Sequence, residues 1–159
     1  MVLDEGLAIG SDAPGGPQMI PVAVLIVDDS RTLVRALARF LKENYQDDVT
    51  VVGVAGGGQE ALVKAQELHP QVILLDLAMP GTHGLEVVPR LREMLPEMCI
   101  ITMSLFDLTE YREASLAAGA DDFVPKAMLG THLLPAIWRV VQSGRWRGKP
   151  GEVRGVLSR

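Results

Sequence analysis

The chain has 159 residues, a formal net charge of -5, 48% hydrophobic and 4% aromatic residues, which together suit one globular domain with an aliphatic core. The negative charge argues against a general nucleic-acid binder, and every apolar run is far shorter than the roughly 20 residues of a membrane-spanning helix. The only cysteine, Cys99, excludes an internal disulfide, so nothing indicates an oxidising compartment.

Two terminal segments fall outside the predicted domain, which covers residues 20–144. Residues 1–19 contain acidic side chains, no basic cluster and a stretch rich in proline and glycine, so we expect a flexible leader and no signal peptide. Residues 145–159 form a predicted basic C-terminal tail. Without a signal peptide or a membrane span, the protein is expected in the cytoplasm.

Between these ends, patterns typical of strands and helices alternate. Apolar runs without polar alternation indicate strands covered on both faces, and apolar residues three and four apart indicate amphipathic helices. The predicted strands are Val22–Val27, Val49–Val54, Val72–Asp76, Cys99–Met103 and 122–126. The predicted helices are 31–45, 59–68, one that follows Gly84–Val88 and carries Leu91, Met94 and Leu95, 111–120 and 131–143. Each crossover is long enough for a right-handed parallel connection, so we predict a doubly wound α/β fold with the flavodoxin-like strand order 2-1-3-4-5.

Local signals mark the limits of several elements. The glycines at 56–58 lack the lysine and spacing of a P-loop, so we interpret them as a strand-to-helix loop. His69 precedes a proline and therefore ends the second helix. Asp107 begins a capping box ahead of the fourth helix, and Gly119 fits the position after it. Pro89 fits the third helix only near its start, where a missing N–H is unpaired anyway.

Polar residues stand at the carboxyl ends of four predicted strands: Asp28 and Asp29, then Asp76, Ser104 and Lys126. These ends meet at one edge of a parallel sheet. Three neighbouring carboxylates repel one another unless a cation joins them, and Mg²⁺, a hard ion with oxygen ligands, suits a shallow acidic cluster. With phosphate oxygens neutralised by metal and lysine, Asp76 can attack phosphorus and form an aspartyl phosphate. Helix capping explains each Asp or Ser alone, and solvent exposure explains the lysine, but neither explains all five residues together.

The sequence here resembles the receiver domains of two-component response regulators. The resemblance covers about Pro21 to Gly144 and rests on the motifs VLIVDDS, LLDLAMPGTHGLEV, ITMS and AGADDFVPK. It implies that Asp76 is the phosphoacceptor and that Ser104 and Lys126 contact the phosphoryl group. The implied Mg²⁺ ligands are Asp28, Asp29, Asp76 and the backbone carbonyl of Ala78. The resemblance also implies a switch formed by Ser104 and the aromatic residue Phe123.

The segments SLFDLTEYREASLAAGADDFVPK and LLPAIWRVVQSGRW most resemble the NarL/FixJ-type branch, whose members usually continue into a helix-turn-helix DNA-binding domain. Only RGKPGEVRGVLSR follows here, so we expect no DNA-binding domain in this chain, as in a stand-alone receiver or in the receiver part of a transcription regulator. The implied partner is a sensor histidine kinase or phosphotransfer protein. The face of the fourth helix, fifth strand and fifth helix is the predicted partner or homodimer surface.

The residues of the site suit a regulatory phosphoacceptor, which is not an enzyme acting on external substrates. A phosphatase of the haloacid-dehalogenase kind needs a second Asp two residues after the nucleophile, where this chain has Ala78. A flavodoxin-like cofactor binder does not suit three acids. A non-phosphorylated pseudo-receiver serving as an interaction module stays open. Because Ala78 has no side chain to orient water, and Phe123 has no phenolic hydroxyl, we predict slow hydrolysis of the acyl phosphate and a switch that works by packing alone.

Overall fold

Five parallel strands form the central sheet in the computed structural model of the protein, which describes residues 20–79, 82–106 and 109–143. The strands are β1 Val22–Val27, β2 Val49–Ala55, β3 Val72–Asp76, β4 Cys99–Ser104 and β5 Asp122–Pro125. The helices are α1 Arg31–Tyr45, α2 Gly58–Leu68, α3 Gly84–Met94, α4 Thr109–Ala118 and α5 Leu129–Gln142. The sheet order β2-β1-β3-β4-β5 confirms the predicted doubly wound fold. The predicted leader, the basic tail and Asp107 lie outside the described residues.

Two apolar layers sandwich the sheet, because successive residues of a strand point to opposite faces. Val24 and Ile26 of β1 pack with α1 and α5, and Leu25 and Val27 pack with α2 and α3. All six side chains of β1 and all six of β4 are buried. The predicted aliphatic core is therefore confirmed, and it holds the carboxyl ends of β1, β3 and β4 in fixed positions.

The limits of the helices follow local signals. The Ser30 hydroxyl caps α1 by accepting the Leu33 N–H at 3.2 Å. α2 ends at His69, which takes a left-handed conformation with φ of 47° and donates its N–H to the Ala65 carbonyl. Gly119, with φ of 122°, follows α4 as predicted. Among the described helices, none is both long and apolar enough to span a membrane.

Three details differ from the sequence-based expectation. Pro89 was expected near the start of a helix but lies in the second turn of α3, because that helix already begins at Gly84; the Leu85 carbonyl therefore receives no N–H from Pro89. A short antiparallel ribbon joins Ala78–Met79 to Thr82–His83 after β3. Residues Lys126–Met128 form a 3₁₀ turn that leads directly into α5. Two-residue strands and single turns carry too little periodicity to be found from sequence.

Candidate functional site

Three carboxylates meet at the carboxyl edge of the sheet. Asp28 and Asp29 follow β1, Asp76 ends the neighbouring strand β3, and one carboxylate oxygen from each lies within 4.8 Å of the others. Asp28 and Asp76 are buried, whereas Asp29 is exposed. The cluster predicted from sequence is therefore assembled by the pairing of β1 with β3, and it opens to solvent on the side of Asp29.

Lys126 is the cation of this cluster. Its Nζ lies 2.7 Å from Asp28 Oδ2 and 3.2 Å from Asp76 Oδ1, and its side chain is only 11% exposed. The 3₁₀ turn that begins at Lys126 brings the ammonium from the edge strand β5 across β4 to the two acids. The ammonium thus bridges two carboxylates that belong to different strands.

Backbone N–H groups orient the two buried acids. The Ala78 N–H donates to Asp76 Oδ1 at 3.1 Å, and the Ser30 N–H donates to Asp28 Oδ1 at 2.9 Å. Both described contacts of the Asp76 carboxylate, from Ala78 and from Lys126, are made at Oδ1. Asp76 Oδ2 is therefore the oxygen that is left for a further ligand or an electrophile.

The charges of the cluster shift two pKa values in a consistent way. Burial raises the pKa of Asp76 above its ordinary value and Asp28 raises it further, although the Ala78 N–H and Lys126 act in the opposite direction. Burial acts to lower the pKa of Lys126, but its contacts with Asp28 and Asp76 outweigh burial and leave that pKa raised. The lysine is therefore held as a cation, while the negative charge of Asp76 is only partly compensated.

Ser104 ends the strand next to the one that carries Asp76, and Phe123 lies on β5. Ser104 is the last residue of β4 and is buried, and its hydroxyl oxygen accepts the Phe106 N–H at 3.0 Å, which leaves its own proton free to donate. Phe123 of β5 is buried with the Arg112 guanidinium 4.9 Å above its ring centroid. The inward position of Phe123 in this structure is thus covered by a side chain of α4.

Sequence reasoning assigned no role in the site to two residues that shape it. A Cβ on Gly84 would lie 2.7 Å from the Leu77 Cα and would overlap the Asp76 carbonyl oxygen, so this close approach of α3 to the end of β3 requires glycine. Arg112, which covers Phe123, lies on a helix whose sequence gives no sign of a cation–π contact. The glycines that follow Asp76 in the sequence could have indicated the role of Gly84. No feature of the sequence could have indicated the role of Arg112.

The donor set fits a hard divalent cation such as Mg²⁺. The cluster contains three carboxylates and one ammonium. Asp28 Oδ2 is buried and, despite its ion pair with Lys126, has no hydrogen bond of good geometry. Asp29 is exposed, so a metal ion that keeps some of its water ligands can reach the cluster. Mg²⁺ takes oxygen ligands, uses few carboxylates and keeps several waters. The residues present therefore match this ion better than a transition metal, which favours nitrogen or sulfur ligands.

Comparison with known proteins identifies the chain. The family model of the response regulator receiver domain matches residues 24–137. The chain belongs to this family. The nitrate/nitrite response regulator protein NarL of Escherichia coli strain K12 is 35% identical over 117 residues, which are 74% of this chain and 53% of NarL. This receiver chain thus spans about half the length of the curated relatives it matches.

Solved receiver domains also share the fold. The signal receiver domain of the putative response regulator NarL from Mycobacterium tuberculosis aligns with a TM-score of 0.70 and 29% identity, over 77% of this chain and 98% of that one. A chain of the CheX-CheY-BeF3-Mg²⁺ complex from Borrelia burgdorferi aligns with a TM-score of 0.70 and 25% identity, over 77% of this chain and 90% of that one. The fold and the family are therefore established for this receiver.

Proposed function

We propose that this receiver is a phosphorylation-dependent switch in which Asp76 accepts a phosphoryl group from a histidine kinase or phosphotransfer protein. The observation that carries the proposal is the place of Asp76, which lies buried between a second acid and the Lys126 ammonium with Oδ1 held and Oδ2 left open. A purely structural acid at this position is expected to be neutralised completely. The surplus negative charge of the site instead suits a cation and a transferred phosphoryl group.

Mg²⁺ would be held by Asp28, Asp29, Asp76 and the backbone carbonyl of Ala78. When bound, the ion neutralises phosphoryl oxygens and the repulsion among the carboxylates. The fixed orientations of Asp28 and Asp76, through Ser30 and Ala78, support this assignment because they preorganise two ligands. The Mg²⁺ in the aligned complex from Borrelia burgdorferi belongs to that protein and supports the same chemistry here by similarity.

In the transfer step, Asp76 Oδ2 attacks phosphorus in line while the bond from phosphorus to the donor imidazole nitrogen breaks. The imidazole leaves with the electron pair, and Asp76 keeps the phosphoryl group as an acyl phosphate. The transition state is loose, so catalysis consists mainly of positioning and charge compensation. Lys126 neutralises a phosphoryl oxygen, and the Ser104 hydroxyl donates its free proton to another.

The switch follows from the new charge at Asp76, about -1.5 to -2 for a phosphoryl group near neutral pH. To donate to it, the Ser104 hydroxyl turns toward the phosphoryl group and gives up the Phe106 N–H, which frees the loop after β4. Phe123 has no hydroxyl, so it responds only by repacking, and Arg112 must move with it. The surface of α4, β5 and α5 changes as a result and is the proposed partner or homodimer surface.

The deciding experiment compares intact masses of the wild type and Asp76→Asn after incubation with acetyl phosphate and Mg²⁺. We expect one added phosphoryl group on the wild type and none on the variant or after chelation of the metal. No adduct on a folded wild-type protein under any condition would favour the alternative of a non-phosphorylated pseudo-receiver that acts as an interaction module. Phosphorylation retained by Asp76→Asn would move the acceptor to another residue.

A further inference from the structure

An open depression of about 500 Å³ lies beside the acid cluster. Asp28 and Asp29 line it at the cluster, Arg31 and Arg35 line it from α1, and the glycine loop after β2 closes its far side. The depression therefore joins two of the three acids of the site to the two arginines of α1.

The charged groups of this depression are unequally paired. Glu60 and Lys64 form an ion pair at 3.1 Å, and Glu60 also accepts the Gly56 N–H. Arg31 and Arg35 are both exposed, and within the described part of the chain neither side chain makes a hydrogen bond or an ion pair. Two guanidinium groups with all their donors available thus face the approach to the site.

The position of these arginines on α1 is specific. Residues four apart share one face of a helix, so Arg31 and Arg35 point to the same side. Arg39, the next residue at this spacing, is instead paired with Glu43 at 3.0 Å. The first turn of α1 contains no acidic residue that could neutralise Arg31. Within the described residues Lys42 is also unpaired, but it lies in the last turn of α1. Arg31 and Arg35 are therefore the unpaired cations at the end of the helix nearest the acids.

The two arginines can reduce the electrostatic repulsion that opposes the proposed reaction. A phosphodonor is an anion, and it must approach a cluster in which three carboxylates face one ammonium. Fixed charges of opposite sign at the rim of a cleft raise the local concentration of an incoming ion. Guanidinium groups also match phosphate oxygens in shape, because each can donate two parallel hydrogen bonds.

We propose that Arg31 and Arg35 form an anion-binding rim that captures the phosphoryl group of the donor before transfer to Asp76. The ligand class is a phosphate-bearing dianion, supplied by a small acyl phosphate or by a phosphohistidine. This inference rests on the proposed function, since it assigns the residues that recognise the donor of the same reaction. The rim acts on encounter and binding, and the acids and Lys126 act on the transfer itself.

The first test measures the second-order rate constant of phosphorylation for the double variant Arg31→Gln/Arg35→Gln, with acetyl phosphate and with phosphoimidazole as donors. At low ionic strength we expect a loss of about five-fold with both donors. In about 1 M salt, where the Debye length is about 3 Å, the difference from the wild type should shrink to less than about two-fold. The charge-conserving variant Arg31→Lys/Arg35→Lys should recover part of the rate, because lysine keeps the charge but not the two parallel donors.

The matched control is Arg39→Gln/Lys42→Gln, which removes the same charge from the same helix outside the depression. We expect wild-type rates from it, because neither position lines the depression and Arg39 is already paired with Glu43. An equal decrease of the rate constant in both double variants would show that only the net charge of the protein matters, and would refute the anion-binding rim. A wild-type rate in Arg31→Gln/Arg35→Gln with both small donors would overturn it as well.

A second measurement separates this inference from the proposed function. Asp76→Asn cannot form the acyl phosphate, so its titration with acetyl phosphate reports binding alone. We expect saturable shifts of the arginine Nε–H resonances of Arg31 and Arg35 and unchanged resonances for Arg39 in nuclear magnetic resonance spectra. No shift at Arg31 and Arg35 would overturn the rim even in a protein that is phosphorylated. A wild type that is never phosphorylated would refute the proposed function, and the titration would still decide the rim.

Discussion

Two charged clusters lie at opposite ends of the same sheet, and they differ in how well their charges match. At the amino ends of β4 and β5, Asp121 Oδ2 accepts the Arg92 Nη2–H at 2.7 Å and the Ile100 N–H at 2.8 Å. Arg92 also donates to the backbone carbonyls of Pro96, Met98 and Gly119. At the carboxyl ends, Lys126 pairs with Asp28 and Asp76 of the cluster of three carboxylates, and the third, Asp29, makes no ion pair within the described residues.

The comparison separates a structural ion pair from a functional one. The Arg92 cluster has one charge of each sign and donors matched to acceptors, so it joins α3, β4 and the loop before β5 without need of a ligand. The acid cluster keeps a surplus of negative charge, which costs stability until a cation binds. Burial raises the pKa of Asp76, and the neighbouring Asp28 raises it further. Burial together with incomplete compensation of charge therefore distinguishes the acid cluster from the Arg92 cluster.

The largest effect is expected from a substitution in the Arg92 cluster, whose charges are matched. Replacing Arg92 with alanine removes the guanidinium from the Asp121 carboxylate and from several carbonyls, although the Ile100 N–H still donates to Asp121. Loss of one member of such a partly buried pair costs about 2–3 kcal/mol. Urea denaturation should show this loss, while phosphorylation of the remaining folded protein stays at the wild-type level. Arg90→Ala, an exposed position on the same helix, is the control and should change stability by less than about 0.5 kcal/mol. Similar stabilities of the two variants would contradict the structural role of Arg92.

The second effect tests the unbalanced cluster by supplying its cation. Mg²⁺ at ten times its dissociation constant should raise the free energy of unfolding of the wild type by about 1.4 kcal/mol, because it binds only the folded state. Arg92→Ala should gain the same amount, since its defect lies at the other end of the sheet. Asp28→Asn should gain little, because a buried ligand is lost. Thermal unfolding with and without chelator measures all three, and an equal gain in Asp28→Asn would place the metal elsewhere.

The two clusters also differ in how far sequence could predict them. Asp28, Asp29, Asp76 and Lys126 follow apolar strands directly, and a parallel sheet brings the carboxyl ends of its strands together. Strand order and the meeting of these four residues were therefore predictable. Their ion-pair distances and the shifted pKa of Asp76 depend on side-chain placement, which no spacing encodes.

The Arg92 cluster could not be predicted in this way. Arg92 lies 29 residues before Asp121, on a helix where neighbouring arginine and glutamate residues look equivalent in sequence. The adjacent acids Asp121 and Asp122 are likewise indistinguishable, yet Asp122 binds Arg139 of α5 instead. Such partners are chosen by three-dimensional packing. Gly84 is similar, because its need for a missing Cβ appears only where α3 meets the end of β3.

The third prediction concerns the pH dependence of the unbalanced cluster. Since burial and Asp28 raise the pKa of Asp76 in the folded state, ionisation of Asp76 costs stability as pH rises from its ordinary value of about 3.9 through the raised value. Asp76→Asn cannot ionise, so without metal it should be about 1 kcal/mol more stable than the wild type at neutral pH. This advantage should vanish in acid. Urea denaturation at several pH values in the presence of chelator measures this difference in the free energy of unfolding. A difference that grows toward low pH would mean that the pKa of Asp76 is lowered in the folded state and not raised.

A neutral pair provides the smallest and sharpest comparison. Thr102 Oγ1 lies 3.0 Å from Ser115 Oγ, and the two hydroxyls also reach the carbonyls of Asp122 and Arg112 respectively. Because each hydroxyl keeps a carbonyl acceptor when the other is removed, neither Thr102→Val nor Ser115→Ala strands a buried donor. A double-mutant cycle in urea should therefore give a coupling of only about 0.5 kcal/mol. The coupling free energy could instead equal the decrease in the free energy of unfolding of Arg92→Ala. A neutral pair would then stabilise this fold as much as a charged pair, and charge balance would not explain the difference between the two charged clusters.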